Sequence, residues 1–229
     1  MTEVVGVDGA RVGRESGWVL VRLDGGRLAE TVYCADFDAV LAQSRSAEVI
    51  GVDMPIGLTG GEPRHADNVA RRALGRRASS IFATPSRPVL EAADYDEACR
   101  RSRELCGKGL SRQAWMLAER IRQVDAARPD PRLHEVHPEL SFLELSGSAL
   151  PSKKTWNGLI ERMHALRGAG LDLSQPLEQA GLAAPDDVLD AAVVAWTAER
   201  IRRGEARSHP PLGAQGEQRD GEHRIAIWS

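Results

Sequence analysis

The chain has 229 residues, 42% of them hydrophobic, and a formal net charge of −3, so it can form one sizeable core and is not a uniformly basic binder of polyanions. Its three cysteines include no CxxC pair, which indicates neither a disulfide framework nor a zinc site. No apolar run is long enough to cross a membrane and no secretory signal is visible, so we expect a cytoplasmic protein without membrane contact.

The first predicted strand, residues 3–8, is an apolar run that ends in a carboxylate. Its side chains do not alternate between apolar and polar, which is typical of a strand buried on both faces. We place Asp8 where this strand leaves the sheet and Gly9 in the turn that follows. A near copy of the run occurs at residues 49–53, where Gly-Val-Asp again ends an apolar stretch.

The elements between these two runs predict a meander and a crossover. They are strands at 17–23 and 28–34 joined by a turn at 24–26, a helix at 36–44 capped by Asp36, and the returning strand at 49–53. A strand, helix, strand passage implies a parallel neighbour, most simply the first strand. This pairing would bring Asp53 beside Asp8, at the edge of the sheet where ligands usually bind.

Residues 57–130 differ in character from the rest of the chain, and we predict that they form a helical insertion. Helices are expected at about 65–74, 94–105 and 111–127, separated by segments rich in glycine and proline. From Arg64 to Arg128 there are 14 Lys and Arg residues against 8 Asp and Glu. This basic block suits an anionic substrate, although solvated helix faces would give the same balance.

The sheet pattern resumes after the insertion. We expect a strand at 133–137, helices at 138–145, 156–166 and from 185 onward, a surface loop at 204–222 and a last edge strand at 225–228. The helix from Pro185 has proline and acids in its first turn, as a helix start should.

Five carboxylates form the candidate catalytic set. They are Asp8, Asp53, Glu135, Asp187 and Asp190, the last two one helical turn apart. Acids brought together repel one another unless a cation compensates them, and oxygen ligands are preferred by Mg²⁺ and Mn²⁺. We therefore expect Asp8, Asp53, Asp187 and Asp190 to bind metal, with Glu135 as a further ligand or a base that positions water. Taken singly, each acid has an ordinary alternative as a turn residue, a helix cap or an ion pair.

Several strings resemble the domain-of-unknown-function family 429 (DUF429), a family of predicted nucleases of the ribonuclease H-like superfamily. They are residues 6–11 (GVDGAR), 51–58 (GVDMPIGL), 80–85 (SIFATP), 107–115 (GKGLSRQAW), 135–139 (EVHPE), 152–156 (SKKTW) and 186–191 (DDVLDA). Residues 187–192 also resemble the last acidic helix of the resolvase-type Holliday-junction nucleases. The resemblance implies one ribonuclease H-like α/β domain over 1–229, whose mixed sheet combines an antiparallel meander with parallel strands between flanking helices.

Four further residues are candidates for binding a substrate phosphate. Lys108, Ser111 and Arg112 lie in a glycine-rich basic turn before a helix, where backbone N–H groups can also hold an anion. Capping of that helix by Ser111 is the alternative. Lys154, of the pair Lys153-Lys154, is the fourth candidate, although an exposed charge pair explains it equally. We expect Trp115 and Trp156 to pack against helices rather than to stack on bases.

The sequence thus predicts a nuclease dependent on Mg²⁺ or Mn²⁺, with DNA or RNA as substrate. Two alternatives remain: a nucleotide-binding protein related to the ATPases of the same broad fold, and a nucleic-acid-binding protein without catalysis. The sequence does not choose between DNA and RNA, between endo- and exo-cleavage, or between oligomeric states.

Overall fold

The computed structural model describes residues 2–128 and 130–229. The strands are β1 (Glu3–Val12), β2 (Glu15–Asp24), β3 (Arg27–Cys34), β4 (Ala47–Val52), β5 (Leu133–Glu135), β6 (Ser208–His209), β7 (Arg219–Asp220), β8 (His223–Arg224) and β9 (Ile227–Trp228). The helices are α1 (Phe37–Gln43), α2 (His65–Leu74), α3 (Arg87–Leu90), α4 (Tyr95–Cys106), α5 (Arg112–Met116), α6 (Ala118–Ala127), α7 (Pro138–Ser146), α8 (Trp156–Gly168) and α9 (Pro185–Arg203). Short 3₁₀ turns occupy Gly75–Ser80 and Glu178–Leu182.

The chain folds as two compact units. The first contains the residues up to Met54, Pro131–Arg207 and Trp228–Ser229, and the second contains Pro55–Asp130 and Ser208–Ile227. The stretch predicted as a helical insertion, 57–130, lies in the second unit. That unit also takes in most of the stretch that the sequence predicted as a surface loop, where β7 and β8 pair as a short hairpin.

The first unit is built on a five-stranded mixed sheet with the order β3-β2-β1-β4-β5. β1, β2 and β3 pair antiparallel, whereas β4 runs parallel to β1 and β5 runs parallel to β4. The meander, the crossover through α1 and the mixed α/β class are therefore as predicted, and the arrangement is consistent with a ribonuclease H-like fold. Asp36 caps α1 as expected, accepting a hydrogen bond from the Ala39 N–H at 2.8 Å.

β1 does not end at Asp8, as the sequence analysis expected. The strand runs on to Val12 and turns at Gly13, because β2 continues to pair with it and places Val19 opposite Asp8. Only the parallel partner stops: the β1–β4 pairing ends at Val7 and Val52. Asp8 therefore lies within β1, where it is still paired with β2, one residue beyond the end of the pairing with β4.

Helix α9 lies against the two glycines of the repeated Gly-Val-Asp motif. Gly6 and Gly51 are register partners in β1 and β4. A Cβ atom at Gly6 would lie 2.0 Å from the Ala195 nitrogen, and one at Gly51 would lie 2.9 Å from Val194 Cγ1. The absence of side chains at both positions therefore lets α9 approach the sheet closely, and Ala191 and Ala195 are completely buried there.

The remaining elements differ from the predictions mainly at their ends. In the second unit α2 and α4 form where expected, but the helix predicted at 111–127 is interrupted at Leu117, which bonds to Ala114 three residues back. The predicted strand at 225–228 shortens to β9, and Trp228, which belongs to the first unit, makes a parallel bridge to Val136. No helix within residues 2–128 and 130–229 is long and apolar enough to span a membrane.

Replacing Gly6 with alanine should destabilise the protein strongly. The added methyl group would meet the backbone of Ala191 and Ala195, which cannot rotate away, so we expect the free energy of unfolding to fall by at least about 2 kcal/mol. Gly168→Ala is the matched control, because Gly168 ends α8 with open space around it and alanine there should add up to about 1 kcal/mol. Urea denaturation of both variants measures the difference, and equal stabilities would refute the close helix–sheet contact.

Candidate metal centre

Three of the predicted acids converge in the first unit. Asp8 from β1, Asp53 directly after β4 and Asp190 from α9 each offer a carboxylate oxygen, and these oxygens all lie within 4.8 Å of one another. Asp8 and Asp190 are buried, whereas Asp53 is half-buried. We call these three residues the acid trio.

The glycine contact explains how residues so distant in sequence meet. Along a strand, side chains two residues apart share a face, so Asp8 points to the same side as Gly6. Gly6 is the position where α9 touches the sheet, through Ala191 and Ala195. Asp190 directly precedes Ala191, so the contact between α9 and Gly6 places Asp190 beside Asp8 and Asp53. Asp53 is held by its own backbone, whose N–H donates to the Val7 carbonyl at 2.9 Å.

The other two acids of the predicted set lie at the margin of the trio. Asp187, one turn before Asp190, is half-buried, and its negative charge helps to raise the pKa of both Asp8 and Asp53. Glu135 is buried at the end of β5, in register with Val52, and its charge also raises the pKa of Asp53. Neither contributes to the group of oxygens within 4.8 Å.

The acids of the trio have pKa values above the ordinary value for aspartate. Burial raises the pKa of Asp8 well above its ordinary value, and the charges of Asp53 and Asp190 raise it further. Burial, followed by the charge of Asp190, raises the pKa of Asp53 to about 8. Burial also raises the pKa of Asp190, to about 6, against the opposing effect of Lys153.

Two lysines bind the acids on α9. Lys153 Nζ donates a hydrogen bond to Asp190 Oδ2 and lies 3.7 Å from Asp186 Oδ2. Lys154 Nζ donates to Asp186 at 2.5 Å, although 72% of its side chain is exposed. Burial alone would raise the pKa of Asp186, but the bond from Lys154 and the charge of Lys153 lower it overall. From the sequence, Lys154 was predicted as a site residue and Lys153 was not. No local pattern indicates that Lys153 has a partner 37 residues away.

The segment that carries these lysines is fixed by its neighbours. Arg162, which is fully buried, donates to the Pro151 carbonyl at 2.8 Å and to Glu139 Oε1 at 2.7 Å. Thr155 bonds the Ser152 carbonyl through its backbone N–H at 2.9 Å and its hydroxyl at 2.8 Å, and it also caps α8. The backbone around Lys153 and Lys154 is therefore anchored at both ends.

The chemistry of the trio suits a hard divalent cation. Asp190 Oδ1 is buried and has no hydrogen-bond partner within residues 2–128 and 130–229. A buried, unpartnered carboxylate oxygen is costly unless a cation or a proton satisfies it. Three carboxylates with converging oxygens are the ligand set that Mg²⁺ and Mn²⁺ prefer, so the residues present fit the predicted ion.

The remaining phosphate-binding candidates lie in the second unit. Ser111 accepts a hydrogen bond from the Ala114 N–H at 3.1 Å and so caps α5, while Arg112 lies over the Tyr95 ring, 4.0 Å from its centroid. Lys108 is exposed. Ser111 thus fills the capping role that was its alternative, and phosphate binding by these residues stays a prediction.

Trp115 and Trp156, the two tryptophans that were expected to pack against helices, differ in environment. Trp115 packs against Tyr95 with ring centroids 6.4 Å apart, as expected. The expectation of packing was wrong for Trp156, which begins α8 two residues after Lys154 and is 72% exposed.

A comparison with models of protein families gives one match. A family model described as "Protein of unknown function (DUF429)" matches residues 6–213. No curated protein and no solved structure matches the chain.

The raised pKa of Asp53 predicts a pH-dependent stability in the absence of divalent cations. Between the ordinary aspartate pKa of about 4 and the native value of about 8, the folded state binds more protons than the unfolded state. The free energy of unfolding should therefore fall as pH rises through this window, and Asp53→Asn should make that fall smaller, since it removes the contribution of Asp53 and leaves those of Asp8 and Asp190. Melting temperatures in EDTA at pH 5, 7 and 9 test this, with the exposed Asp38→Asn as control. A constant difference between Asp53→Asn and wild type would contradict it.

Proposed function

The chain belongs to the DUF429 family, and from the geometry of its acid trio we propose that it is a nuclease of the ribonuclease H-like superfamily. It would hydrolyse nucleic-acid phosphodiesters with Mg²⁺ or Mn²⁺ held by Asp8, Asp53 and Asp190. The observation that carries the proposal is the convergence of three carboxylate oxygens within 4.8 Å at a site where two of the acids are buried.

Electrostatics supports a cation at this position. Burial and then mutual repulsion raise the pKa of Asp8 and of Asp53, and Lys153 bonds directly to Asp190. A divalent ion would favour the ionised form of all three acids. It would also give Asp190 Oδ1 a partner. Metal binding would therefore account for the close approach of three acids whose burial and mutual repulsion lower the stability of the fold.

Each side chain around the trio has a defined part in this proposal. A bound divalent ion supplies an activated water and stabilises the leaving oxygen. Asp8, Asp53 and Asp190 hold the ion, and Asp187, one helical turn away, is placed to add a ligand at the margin. Glu135 is near enough to Asp53 to raise its pKa and would orient the attacking water or accept its proton.

Two exposed residues on the segment that carries Lys153 support a nucleic-acid substrate. Lys154 presents an exposed ammonium group next to Asp186 and is suited to a phosphate oxygen. Trp156 presents an exposed ring two residues later, and exposed aromatic rings stack on nucleobases of any sequence. A positive charge and a stacking surface on one anchored segment favour nucleic acid over a simple phosphate ester.

Removing one member of the trio should abolish both metal binding and cleavage. We expect Asp8→Asn to lower Mn²⁺-dependent cleavage by at least about 100-fold, because it removes a ligand and a negative charge at the reacting centre. Cleavage is measured on single-stranded, duplex, branched and hybrid nucleic acids, and Mn²⁺ binding by calorimetry. Asp38→Asn, an exposed acid on α1, should retain wild-type values. Failure of the wild-type protein to bind Mn²⁺ or to cut any substrate would overturn the proposal, and ATP turnover would favour the nucleotide-binding alternative.

Trp156 should affect substrate binding more than turnover. Loss of a base-stacking contact costs about 1–3 kcal/mol, so Trp156→Ala should raise KM about tenfold with little change in kcat. Trp156→Phe keeps an aromatic face and should restore most of the affinity. Leu212→Ala, at a side chain that is 82% exposed in the second unit, is the control for loss of an exposed apolar residue. Equal KM values for Trp156→Ala and this control would exclude stacking.

A further inference from the structure

Lys153 already bonds a carboxylate that the proposed metal site would use. Lys153 Nζ bonds Asp190 Oδ2, and Asp190 belongs to the acid trio. The pair joins a lysine whose side chain is 31% exposed to an acid that is 2% exposed. A positive charge already at the trio both satisfies one acid and repels an incoming ion.

The two oxygens of Asp190 are used differently. Oδ2 accepts the bond from Lys153, while Oδ1 is buried without a partner within residues 2–128 and 130–229. The lysine therefore compensates the site only in part. This leaves an acceptor that a cation can take without unfolding the surrounding structure.

The backbone that carries the Lys153 side chain is held in place. The backbone on either side is held by Arg162 at the Pro151 carbonyl and by Thr155 at the Ser152 carbonyl. Gly158 packs so closely that a Cβ atom there would lie 2.0 Å from the Ser152 oxygen. If the Lys153 ammonium group were displaced from Asp190, it would therefore remain near the trio, because the backbone that carries it is fixed.

A second acceptor lies next to the first. Asp186 Oδ2 is 3.7 Å from Lys153 Nζ, and it already binds Lys154 at 2.5 Å. While Lys153 bonds Asp190 the two lysines are matched by two acids, but a Lys153 displaced from Asp190 would share Asp186 with Lys154 and leave one excess positive charge. An anionic substrate oxygen would be the natural partner for that excess.

We propose that Lys153 is an internal cation that a divalent ion displaces from Asp190, and that the displaced ammonium then binds a phosphate oxygen of the substrate. This inference rests on the proposed metal-dependent cleavage. The lysine keeps the empty site partly compensated and weakens metal binding until a substrate phosphate is present. Because binding linkage is reciprocal, the substrate should tighten metal binding by the same factor by which the metal tightens substrate binding.

The test compares Mn²⁺ binding by the wild-type protein with binding by Lys153→Met and Lys153→Gln, measured by calorimetry without substrate. Both variants remove the charge, and glutamine can still donate a hydrogen bond to Asp190 if the methionine variant folds poorly. We expect the Kd for Mn²⁺ to fall about tenfold or more in both. At saturating Mn²⁺ we expect kcat for nucleic-acid cleavage to fall by about tenfold or more, since the phosphate loses its ammonium partner.

A merely structural lysine would not give this result, because its loss would weaken metal binding or leave it unchanged. Arg167→Met is the control, since it removes an exposed ion pair between Arg167, in the last turn of α8, and Asp172, and it should change neither value. If the wild type binds Mn²⁺ and the two variants bind no tighter, the displacement is refuted while the proposed function stands. If only the variants bind Mn²⁺, the lysine is the native occupant of the site and the proposed metal dependence is refuted. If no protein binds Mn²⁺, both ideas fall.

Discussion

The close contact between α9 and the glycine pair of β1 and β4 determines where every other part of the site can lie. Gly6 and Gly51 stand side by side in the sheet, and the backbone of α9 occupies the space that side chains would fill. This contact fixes the height of the helix above the strands. Asp190 is consequently placed within reach of Asp8 and Asp53, although more than 130 residues separate it from the nearer of the two in sequence.

The same contact creates an electrostatic conflict. It buries two carboxylates and brings a third beside them, where low polarity and mutual repulsion both favour the protonated forms. A structural role alone would favour apolar residues at these positions, because buried charges seldom add stability. Lys153 relieves the conflict only in part. Such local conflicts are expected at functional sites, which agrees with the proposed metal centre.

The sequence was informative where local patterns determine structure. The turn at 24–26, the Asp36 cap and the parallel crossover followed from residue chemistry and short-range spacing, and the mixed sheet agreed with them. The end of β1 was misjudged because a glycine after an apolar run resembles a turn, and only the partner strand shows that pairing continues through it. The resemblance of short strings correctly indicated the family.

The composition of the site could be predicted only in part. Asp8 and Asp53 follow from twin motifs on neighbouring strands, but choosing between Asp187 and Asp190 requires the rotation of α9, which depends on the contact with Gly6. Lys153 has no local signal at all, because its position depends on Arg162 and Thr155 anchoring the segment before α8, and its partner Asp190 lies on α9, 37 residues away. Trp156 was expected to pack because tryptophan usually does, and the helix start that exposes it is a tertiary feature.

The spacing within Gly-Val-Asp has a consequence for how this chain can vary. The glycine admits the helix and the aspartate two positions later meets it, so the two residues must remain on one face of the strand. Inserting a single residue between Gly6 and Asp8 would keep both residue types yet turn the carboxylate to the opposite face. Length changes should therefore be far less tolerable inside this tripeptide than conservative replacement of Val7, which makes the interval itself, and not only its end residues, part of the site.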